Sequence, residues 1–384
     1  MNYIISLLTS AVLSLALETY YEEPQHQPQP TNFINFVTTY KFLDQGILIK
    51  EASNNVLWAS AYRTNSQPQV QQGQRISRNR LVKSQDHGIT WQTVHIFDKN
   101  IEVVYADGHG NIFVSISLGR WLEAPYAQLH KSTDNGATFT KVLQTGGGVP
   151  VGWNIASQNG TMFVSEYGFK GHSPANIGNN ARRIYRSLDF GNTWETVFYP
   201  EPTYDWHNHT TLITTDGVVY QSIGDGANAH IKRSTDNGYN WQTVARRFHP
   251  TSALQFGDYI LWGLDAGPWH GVMRYHRPTQ TTSRSLTLPY PFKGSAYDMI
   301  YANGIVYAMF LSYINYSHPA SIFYSKDQGH TWHILGEIHS PNAHGIGFFH
   351  MRHDDKFAYI DIQTPLYNEE EITFFRGTLR FELL

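Results

Sequence analysis

Short runs of hydrophobic and β-branched residues alternate with turn-forming residues along most of the chain. One unit consists of residues 101–106 (IEVVYA), a turn at 107–110 (DGHG), residues 111–117 (NIFVSIS), a loop, residues 127–131 (AQLHK) and residues 140–143 (TKVL). Runs of this length between Gly, Asp and Asn are typical of β-strands. The unit therefore predicts a sheet of four short strands.

An octet of the form S-x-D-x-G-x-T-W separates the third and fourth runs and occurs five times. The copies SQDHGITW, STDNGATF, SLDFGNTW, STDNGYNW and SKDQGHTW start at Ser84, Ser132, Ser187, Ser234 and Ser325. The last interval is long enough for two periods, with one degenerate copy near residues 279–285. Ser and Asp side chains bond nearby backbone N–H groups, Gly supplies a positive φ, and Trp packs between sheets. The octet thus predicts a structural turn, in which His87 and His330 are turn residues.

The spacing of the octets predicts the overall fold. Repeats of about 40 to 50 residues with four strands are typical of β-propeller blades. Residues 33–384 hold about seven such units, and an N-terminal strand could close the last one. We therefore expect an all-β chain forming a single seven-bladed β-propeller. The octets then lie on one face, and the loops from second to third strands and between blades lie on the other.

The N-terminal segment has a different pattern. Residues 4–17 (IISLLTSAVLSLAL) form an apolar run too short to span a bilayer, which predicts a signal peptide at residues 1–17 and a secreted protein, although a basic n-region is missing. A buried N-terminal strand or helix is the alternative. Residues 18–32, rich in Pro and Gln, predict an extended linker.

Composition narrows the partners and cofactors. A net charge of −3 with interspersed signs gives no nucleic-acid footprint and no polybasic membrane patch, and zero cysteines exclude disulfides and thiolate sites. We expect neither a nucleic-acid partner nor a membrane span, and we expect a monomer. The chain also lacks a G-x-G-x-x-G or Walker-type loop, which argues against nucleotide binding.

Candidate chemistry concentrates in the loops opposite the octets. His207-x-His209 begins an innermost strand, where alternation places both imidazoles on the side of the central channel. The pair could bind a divalent cation, Ca or Zn, or supply a general base. A hydrogen-bonded pair lining a wet channel is the alternative without a catalytic role.

The remaining loop residues suit a carbohydrate. Tyr167 and Arg182 or Arg183 lie at the two ends of one loop, and Glu166 should point away from Tyr167. Aromatic faces stack on sugars and Arg binds carboxylates. Further candidate substrate contacts in these loops are Arg63, Arg120, Asp225, His230, Trp262, Asp265, His270 and His344. Asp225 directly follows Gly224, and Asp265 lies two residues after Gly263, both at the ends of second strands, so ordinary turns are their alternative.

The octet resembles the Asp-box of sialidase-like β-propellers. The order E-Y-G, R-R-I-Y-R-S-x-D, H-x-H, G-D-G and W-G-x-D, between residues 163 and 265, resembles secreted L-rhamnose-α-1,4-D-glucuronate lyases. The resemblance implies a seven-bladed propeller that binds the terminal sugar of an acidic polysaccharide in its central cavity, where His, Tyr and Arg side chains perform the elimination. Tyr167 and Arg183 match the family by their mutual spacing.

Uronate elimination needs a group that neutralises the carboxylate, a base and a proton donor. We expect Arg183, with Arg120 or Arg63 in reserve, to neutralise the carboxylate, His207 or His209 to act as base, and Tyr167 to donate or orient. A sialidase-like hydrolase with a Tyr nucleophile is one alternative. A non-catalytic propeller that binds glycans or proteins is the other.

Overall fold

The structure, a computed structural model, describes fourteen segments of the chain. They are residues 37–38, 47–53, 56–61, 79–86, 90–117, 127–146, 154–167, 183–198, 207–265, 270–288, 294–311, 320–338, 349–367 and 372–384. The predicted signal peptide at residues 1–17 and linker at 18–32 lie outside these segments. Within the described segments, no helix is long and apolar enough to cross a membrane.

The described segments form 28 β-strands and one short 3₁₀ turn, Gly226–Asn228. The strands are Val37–Thr38 (β1), Ile47–Ser53 (β2), Val56–Ala61 (β3), Arg80–Ser84 (β4), Gln92–Ile96 (β5), Ile101–Ala106 (β6), Ile112–Ser117 (β7), Ala127–Ser132 (β8), Thr140–Gln144 (β9), Ile155–Gln158 (β10), Thr161–Ser165 (β11), Ile184–Ser187 (β12), Glu195–Phe198 (β13), Asn208–Ile213 (β14), Val219–Ile223 (β15), His230–Ser234 (β16), Gln242–Arg246 (β17), Pro250–Phe256 (β18), Tyr259–Leu264 (β19), Gly271–His276 (β20), Thr281–Thr287 (β21), Ser295–Ala302 (β22), Ile305–Leu311 (β23), Ala320–Ser325 (β24), His333–Ile338 (β25), Phe349–His353 (β26), Phe357–Tyr367 (β27) and Ile372–Glu382 (β28).

These strands form seven antiparallel sheets of four strands each, which confirms the predicted seven-bladed propeller. In six sheets the strand order follows the chain, from β2-β3-β4-β5 to β22-β23-β24-β25. The seventh has the order β1-β28-β27-β26, so the N-terminal strand closes the last blade. Strand β26 lies next to β2 of the first blade, and this contact closes the ring.

The five octets form the turns between third and fourth strands, as predicted. In the fourth blade, Ser234 Oγ donates to Asp236 Oδ1 (2.8 Å) and accepts from the backbone N–H of Gly238 (2.7 Å). Asp236 also accepts from the backbone of Asn240 (2.9 Å). The fifth blade differs from the expectation, because its turn is at residues 277–280 and residues 281–285 already belong to β21.

The octet glycines bring neighbouring blades into contact. Gly191 and Gly238 have φ values of +76° and +85°. A Cβ atom on Gly191 would lie 2.5 Å from the Phe113 ring, and one on Gly238 would lie 2.9 Å from the Phe163 ring. Both rings belong to the second strand of the preceding blade, so the absence of a side chain lets each turn rest on its neighbour.

The octet tryptophans complete this packing between blades. The ring of Trp241 lies edge-on to Phe163, with centroids 6.4 Å apart, and 5.8 Å from Phe198 of the same preceding blade. Its Nε1 donates to the carbonyl of Gly238 (2.9 Å), which fixes the ring in place. The buried apolar clusters accordingly extend across pairs of neighbouring blades.

We predict that Gly238→Ala destabilises the propeller more than Gly217→Ala. Gly217 has φ +83° with nothing near its missing Cβ, whereas Gly238 has φ +85° and contacts Phe163. Both substitutions carry the same left-handed strain, so the difference isolates the contact between blades, at about 1 to 3 kcal/mol. Urea unfolding measures it. Equal losses in the two variants would show that this contact does not matter.

The octet aspartates predict a loss of stability in acid. Hydrogen bonds from Thr138 lower the pKa of Asp134 to about 2, and those from Asn240 lower the pKa of Asp236 to about 2, from an ordinary 3.8. Because both pKa values are depressed in the folded state, the stabilisation is full above about pH 4 and is lost as pH falls toward 2. Asp134→Asn combined with Asp236→Asn should flatten this decline in melting temperature. An unchanged slope would contradict the prediction.

Candidate functional site

The antiparallel order of the strands sorts side chains onto two faces. The turns after first and third strands lie on the face with the octets, which we call the octet face. The ends of second strands and the starts of first strands lie on the opposite face, which we call the loop face. Tyr167 follows β11, Asp225 follows β15, and His207 and His249 precede β14 and β18. All four therefore meet at the loop face.

Two imidazoles and one carboxylate form the centre of this arrangement. His207 and His209 flank Asn208, and alternation along β14 brings their rings together with centroids 4.5 Å apart, as the sequence predicted. Nε2 of His209 is hydrogen-bonded to Oδ1 of Asp225 at 3.0 Å. Nε2 of His207 lies 3.3 Å from Oδ2 of the same carboxylate. We call His207, His209 and Asp225 the His–Asp cluster.

Aromatic rings from the neighbouring blades cover the cluster. The ring centroid of Tyr167, from the third blade, lies 4.4 Å from that of His207 and 5.9 Å from that of His209. His249, from the fifth blade, lies 6.0 Å from His209. Three successive blades therefore contribute to one group of acid–base side chains.

Exposure and charge are distributed unevenly over the cluster. The side chains of His207 and His209 are 1% and 2% exposed, whereas that of Asp225 is 41% exposed. Burial by itself raises the pKa of Asp225, but the hydrogen bond from His209 and the charges of His207, His209 and His249 outweigh it and lower the pKa to about 2. Asp225 is thus an accessible anion above two buried rings.

A buried polar network holds the backbone beneath the cluster. Asn154 Nδ2 donates to Ser165 Oγ (2.9 Å), to the Asn208 carbonyl (3.2 Å) and to the His209 carbonyl. Gln221 accepts from Thr211 (2.7 Å), and its Nε2 lies 3.4 Å from the His209 carbonyl. The strand that carries both histidines is therefore tied to the third blade.

Asn154 and Gln221 support the His–Asp cluster, and sequence reasoning missed them. Single Asn and Gln residues near strand ends are common, and nothing in their spacing signals a buried role. His249 lies in a loop that was recognised as part of the loop face, but no role was predicted for it.

Glu166 occupies a second buried site on the other side of the same strand end. As predicted, it points away from Tyr167. Its carboxylate accepts from the backbone of Gly146 (2.7 Å), the backbone of Arg183 (3.1 Å) and the hydroxyl of Tyr185 (2.7 Å). Burial raises the pKa of Glu166 to about 7, although these hydrogen bonds and the charge of Arg183 oppose the shift.

Arg183 belongs to this second site. A Cβ atom on Gly146 would lie 1.0 Å from its Nη1, so the guanidinium rests directly on the glycine. Burial raises the pKa values of Glu166 and Tyr185, and the charge of Arg183 opposes this rise. Binding of a substrate carboxylate by Arg183 would therefore compete with its interaction with Glu166. The sequence did not reveal this internal partner.

Trp262 is a correction to the sequence-based site. It is 1% exposed and stacks on Tyr275, with centroids 5.4 Å apart and near Tyr220, in an apolar cluster between the fourth and fifth blades. Its ring has no face free for a sugar. We therefore reassign Trp262 from substrate contact to the core.

Three other predicted substrate contacts make internal hydrogen bonds at the loop face. His230 Nδ1 donates to the Asn228 carbonyl (2.9 Å), and Asp265 accepts from Ser295 Oγ (2.7 Å). Nδ1 of His270 lies 3.1 Å from the Gly294 carbonyl. His330 is an exposed residue of its octet turn, as predicted. Arg63, Arg120, Arg182, His344 and His87 lie outside the described residues.

Comparisons with known proteins identify the fold. No protein-family model and no curated protein matches the chain. Among solved structures, YCF48 bound to D1 peptide is 12% identical, with a TM-score of 0.57 over 93% of this chain and 100% of that one. The GH74 enzyme of Niastella koreensis is 14% identical, with a TM-score of 0.52 over 78% of this chain and 46% of that one.

A chain of the mitotic checkpoint complex is 9% identical, with a TM-score of 0.57 over 93% of this chain and 97% of that one. At such low identities the likeness shows the fold alone. Because enzymes and proteins that bind partners share it, the fold does not decide the activity.

We predict that Tyr185→Phe costs more stability at pH 8 than at pH 5. The pKa of Glu166 rises from an ordinary 4.5 to about 7 in the folded chain, so the free energy of unfolding falls as pH rises between these values. Removing the hydroxyl takes a donor from a buried carboxylate, which costs about 1 to 3 kcal/mol when the group is charged. Urea unfolding at both pH values tests this.

The matched control for this prediction is Tyr105→Phe. The hydroxyl of Tyr105 is hydrogen-bonded to the neutral Ser157 hydroxyl at 2.8 Å. Its loss should cost the same free energy of unfolding at pH 5 and pH 8. A Tyr185→Phe cost that is also independent of pH would refute a titrating Glu166.

Proposed function

We propose that the chain is a secreted carbohydrate-active enzyme that cleaves a glucuronate-containing glycan, of the rhamnosyl-glucuronate type, by β-elimination at the loop face. The observation that carries the proposal is the contact of the Tyr167 ring with the His–Asp cluster. Groups able to carry protons and charge meet there at the mouth of a propeller. The resemblance of residues 163–265 to the lyase family gives the substrate class.

The reaction sets clear demands on these groups. A base removes the proton at C5 of the uronate, the electron pair forms the C4=C5 double bond, and the C4–O bond breaks. The departing oxygen then takes up a proton. The uronate carboxylate must be neutralised while negative charge develops beside it.

We assign the proton transfers to Tyr167. His207 and His209 are almost fully buried and face Asp225, so a direct role as base, which the sequence favoured, fits them less well. Tyr167 is half-buried and lies over both rings. Its phenolate would take the C5 proton and return it to the departing oxygen, so that one group balances both transfers.

The cluster acts through Tyr167 and Asp225. The imidazole rings of His207 and His209 pack against the Tyr167 ring and fix its position. His207 and His209 are then positioning residues, and only Tyr167 touches the reacting atoms. Arg63, Arg120 and Arg182 stay candidates for binding the substrate carboxylate, and Arg183 is the fourth.

The sialidase-like alternative requires an accessible tyrosine paired with a carboxylate. The pair formed by Tyr185 and Glu166 has the right chemistry, but the two residues are 5% and 0% exposed. It therefore supports a structural role better than a nucleophile. A binding propeller is the second alternative, and the similarity to YCF48 bound to D1 peptide is one of fold alone.

The test is to incubate the full chain with a plant gum carrying rhamnose-capped glucuronate and to follow the ultraviolet absorbance of unsaturated uronate. We expect absorbance to rise, and Tyr167→Phe to lower kcat/KM by about 10²- to 10⁴-fold. Tyr239→Phe, at a tyrosine that is 65% exposed on the octet face, is the control and should retain full activity.

Each other outcome points to a different function. Released reducing sugar without the new absorbance would replace the lyase with a hydrolase. Binding without any product, over a broad panel of acidic glycans, would replace it with a non-catalytic propeller. Elimination that survives Tyr167→Phe would keep the activity and reject Tyr167 as its proton carrier.

A further inference from the structure

We infer that His207, His209 and Asp225 form a binding site for a divalent transition-metal ion of the zinc class. One ligand atom from each residue lies within 4.8 Å of the other two. Both Nε2 atoms face the two oxygens of a single carboxylate, at 3.3 and 3.0 Å. The three donors therefore already point toward one another.

The three ligands lie close together because they are carried by hydrogen-bonded backbone segments and not by separate loops. The histidines flank Asn208, which pairs with Ile223 of β15, two residues before Asp225. The N–H of Gly224 donates to the carbonyl of His207 (2.8 Å), which ties the segment carrying the carboxylate to the segment carrying the imidazoles. Ligands held on paired strands need little reorganisation to bind an ion.

The donor set selects the class of metal. Calcium and magnesium prefer six or more oxygen ligands, and this cluster offers one carboxylate. Two imidazole nitrogens with one carboxylate oxygen suit zinc and its neighbours in the first transition series. Of the two ions that the sequence left open, Ca and Zn, the geometry points to zinc.

The site is open to solvent on the side of its carboxylate and closed on the side of its imidazoles. The imidazoles are embedded at 1% and 2% exposure, and the carboxylate is 41% exposed. An ion held by three protein ligands at such a boundary keeps a coordination position for solvent or substrate, as catalytic zinc sites do. A closed structural site would bury its fourth ligand as well.

The cluster is also supported by its neighbours. The Tyr167 ring packs on both imidazoles, and Asn154 fixes the carbonyls of Asn208 and His209. Within the described segments, Nδ1 of His209 is buried without a hydrogen-bond partner. The orientation of this ring therefore comes from packing, whereas most zinc-binding histidines are oriented by an Nδ1 hydrogen bond.

The site stands without the proposed reaction, and only its catalytic role rests on that function. When bound, a divalent ion would supply positive charge beside Tyr167 and a partner for the uronate carboxylate. This would provide the neutralising group that Arg183, engaged with Glu166, supplies less well.

The test is a titration of chelator-treated full chain with zinc by calorimetry and with cobalt by visible absorption. We expect one equivalent per chain, a cobalt d–d spectrum of a site with nitrogen and oxygen ligands, a zinc-dependent rise in melting temperature, and no competition from calcium. The absence of a stoichiometric site for both metals in the wild-type chain would overturn the inference, whatever the variants do.

Variants locate the site. His209→Gln and Asp225→Asn should each weaken zinc binding by at least about 100-fold, since loss of even outer partners costs 10- to 100-fold. His276→Gln removes a half-buried imidazole, bonded to Thr279, on the octet face and should leave affinity unchanged. Circular dichroism verifies folding, and Asp225→Asn, at the most exposed ligand, is the variant least disruptive to it. Wild-type affinity in both ligand variants would place the metal elsewhere and refute the assignment.

These experiments distinguish a failure of the metal-site inference from a failure of the proposed function. Stoichiometric zinc without elimination on any glycan would retain the site and reject the proposed function. Elimination by the metal-free chain at the wild-type rate would retain the function and reject the catalytic role of the ion.

Discussion

The contact on which the ring depends is that between an octet glycine and a large side chain of the preceding blade. In the third blade the glycine is Gly191, held at φ +76° against Phe113, and in the fourth it is Gly238 against Phe163. A side chain at either position would overlap the aromatic ring of the neighbouring blade. The left-handed turn therefore has to carry glycine where the apolar strand of the preceding blade lies against it. In the second and sixth blades, Gly136 lies against Val94 and Trp58 and Gly329 lies against Leu261, so the described octets repeat this contact. These blades therefore keep one orientation, and the loops after second strands gather at the opposite face.

At the loop face, where β14 begins, the buried side chains are polar instead of apolar. The buried residues there include four polar side chains, Asn154, Gln221, His207 and His209, all nearly inaccessible to solvent. Burying polar side chains is costly unless hydrogen bonds replace water, and Asn154 and Gln221 make such bonds to the backbone of His209. Apolar packing would stabilise this region about as well as the polar network does. The most direct consequence of the network is a fixed geometry for the histidine pair.

The regular parts of the molecule could be predicted from the sequence because they repeat. Five octets define the third turn in five of the seven blades, and antiparallel order then assigns Tyr167, His207 and Asp225 to one face. The environment of single residues does not follow from such periodicity. Trp262 lies near the end of a second strand, where a substrate contact was expected, yet its neighbours Tyr220 and Tyr275 enclose it. Arg183 has the spacing of a substrate contact, but the open space at Gly146 and the buried Glu166 draw its guanidinium inward.

Strand alternation at the end of β11 places two neighbouring side chains in different environments. Tyr167 turns toward the His–Asp cluster, and the adjacent Glu166 turns toward Tyr185 and Arg183. The two environments share a backbone, since Asn208 donates from its N–H and its side chain to the Glu166 carbonyl (3.2 and 3.0 Å) while lying between the two histidines. Movement of Glu166 would therefore displace both Tyr167 and the imidazoles. The buried carboxylate is thus in a position to determine where Tyr167 and the two imidazoles stand.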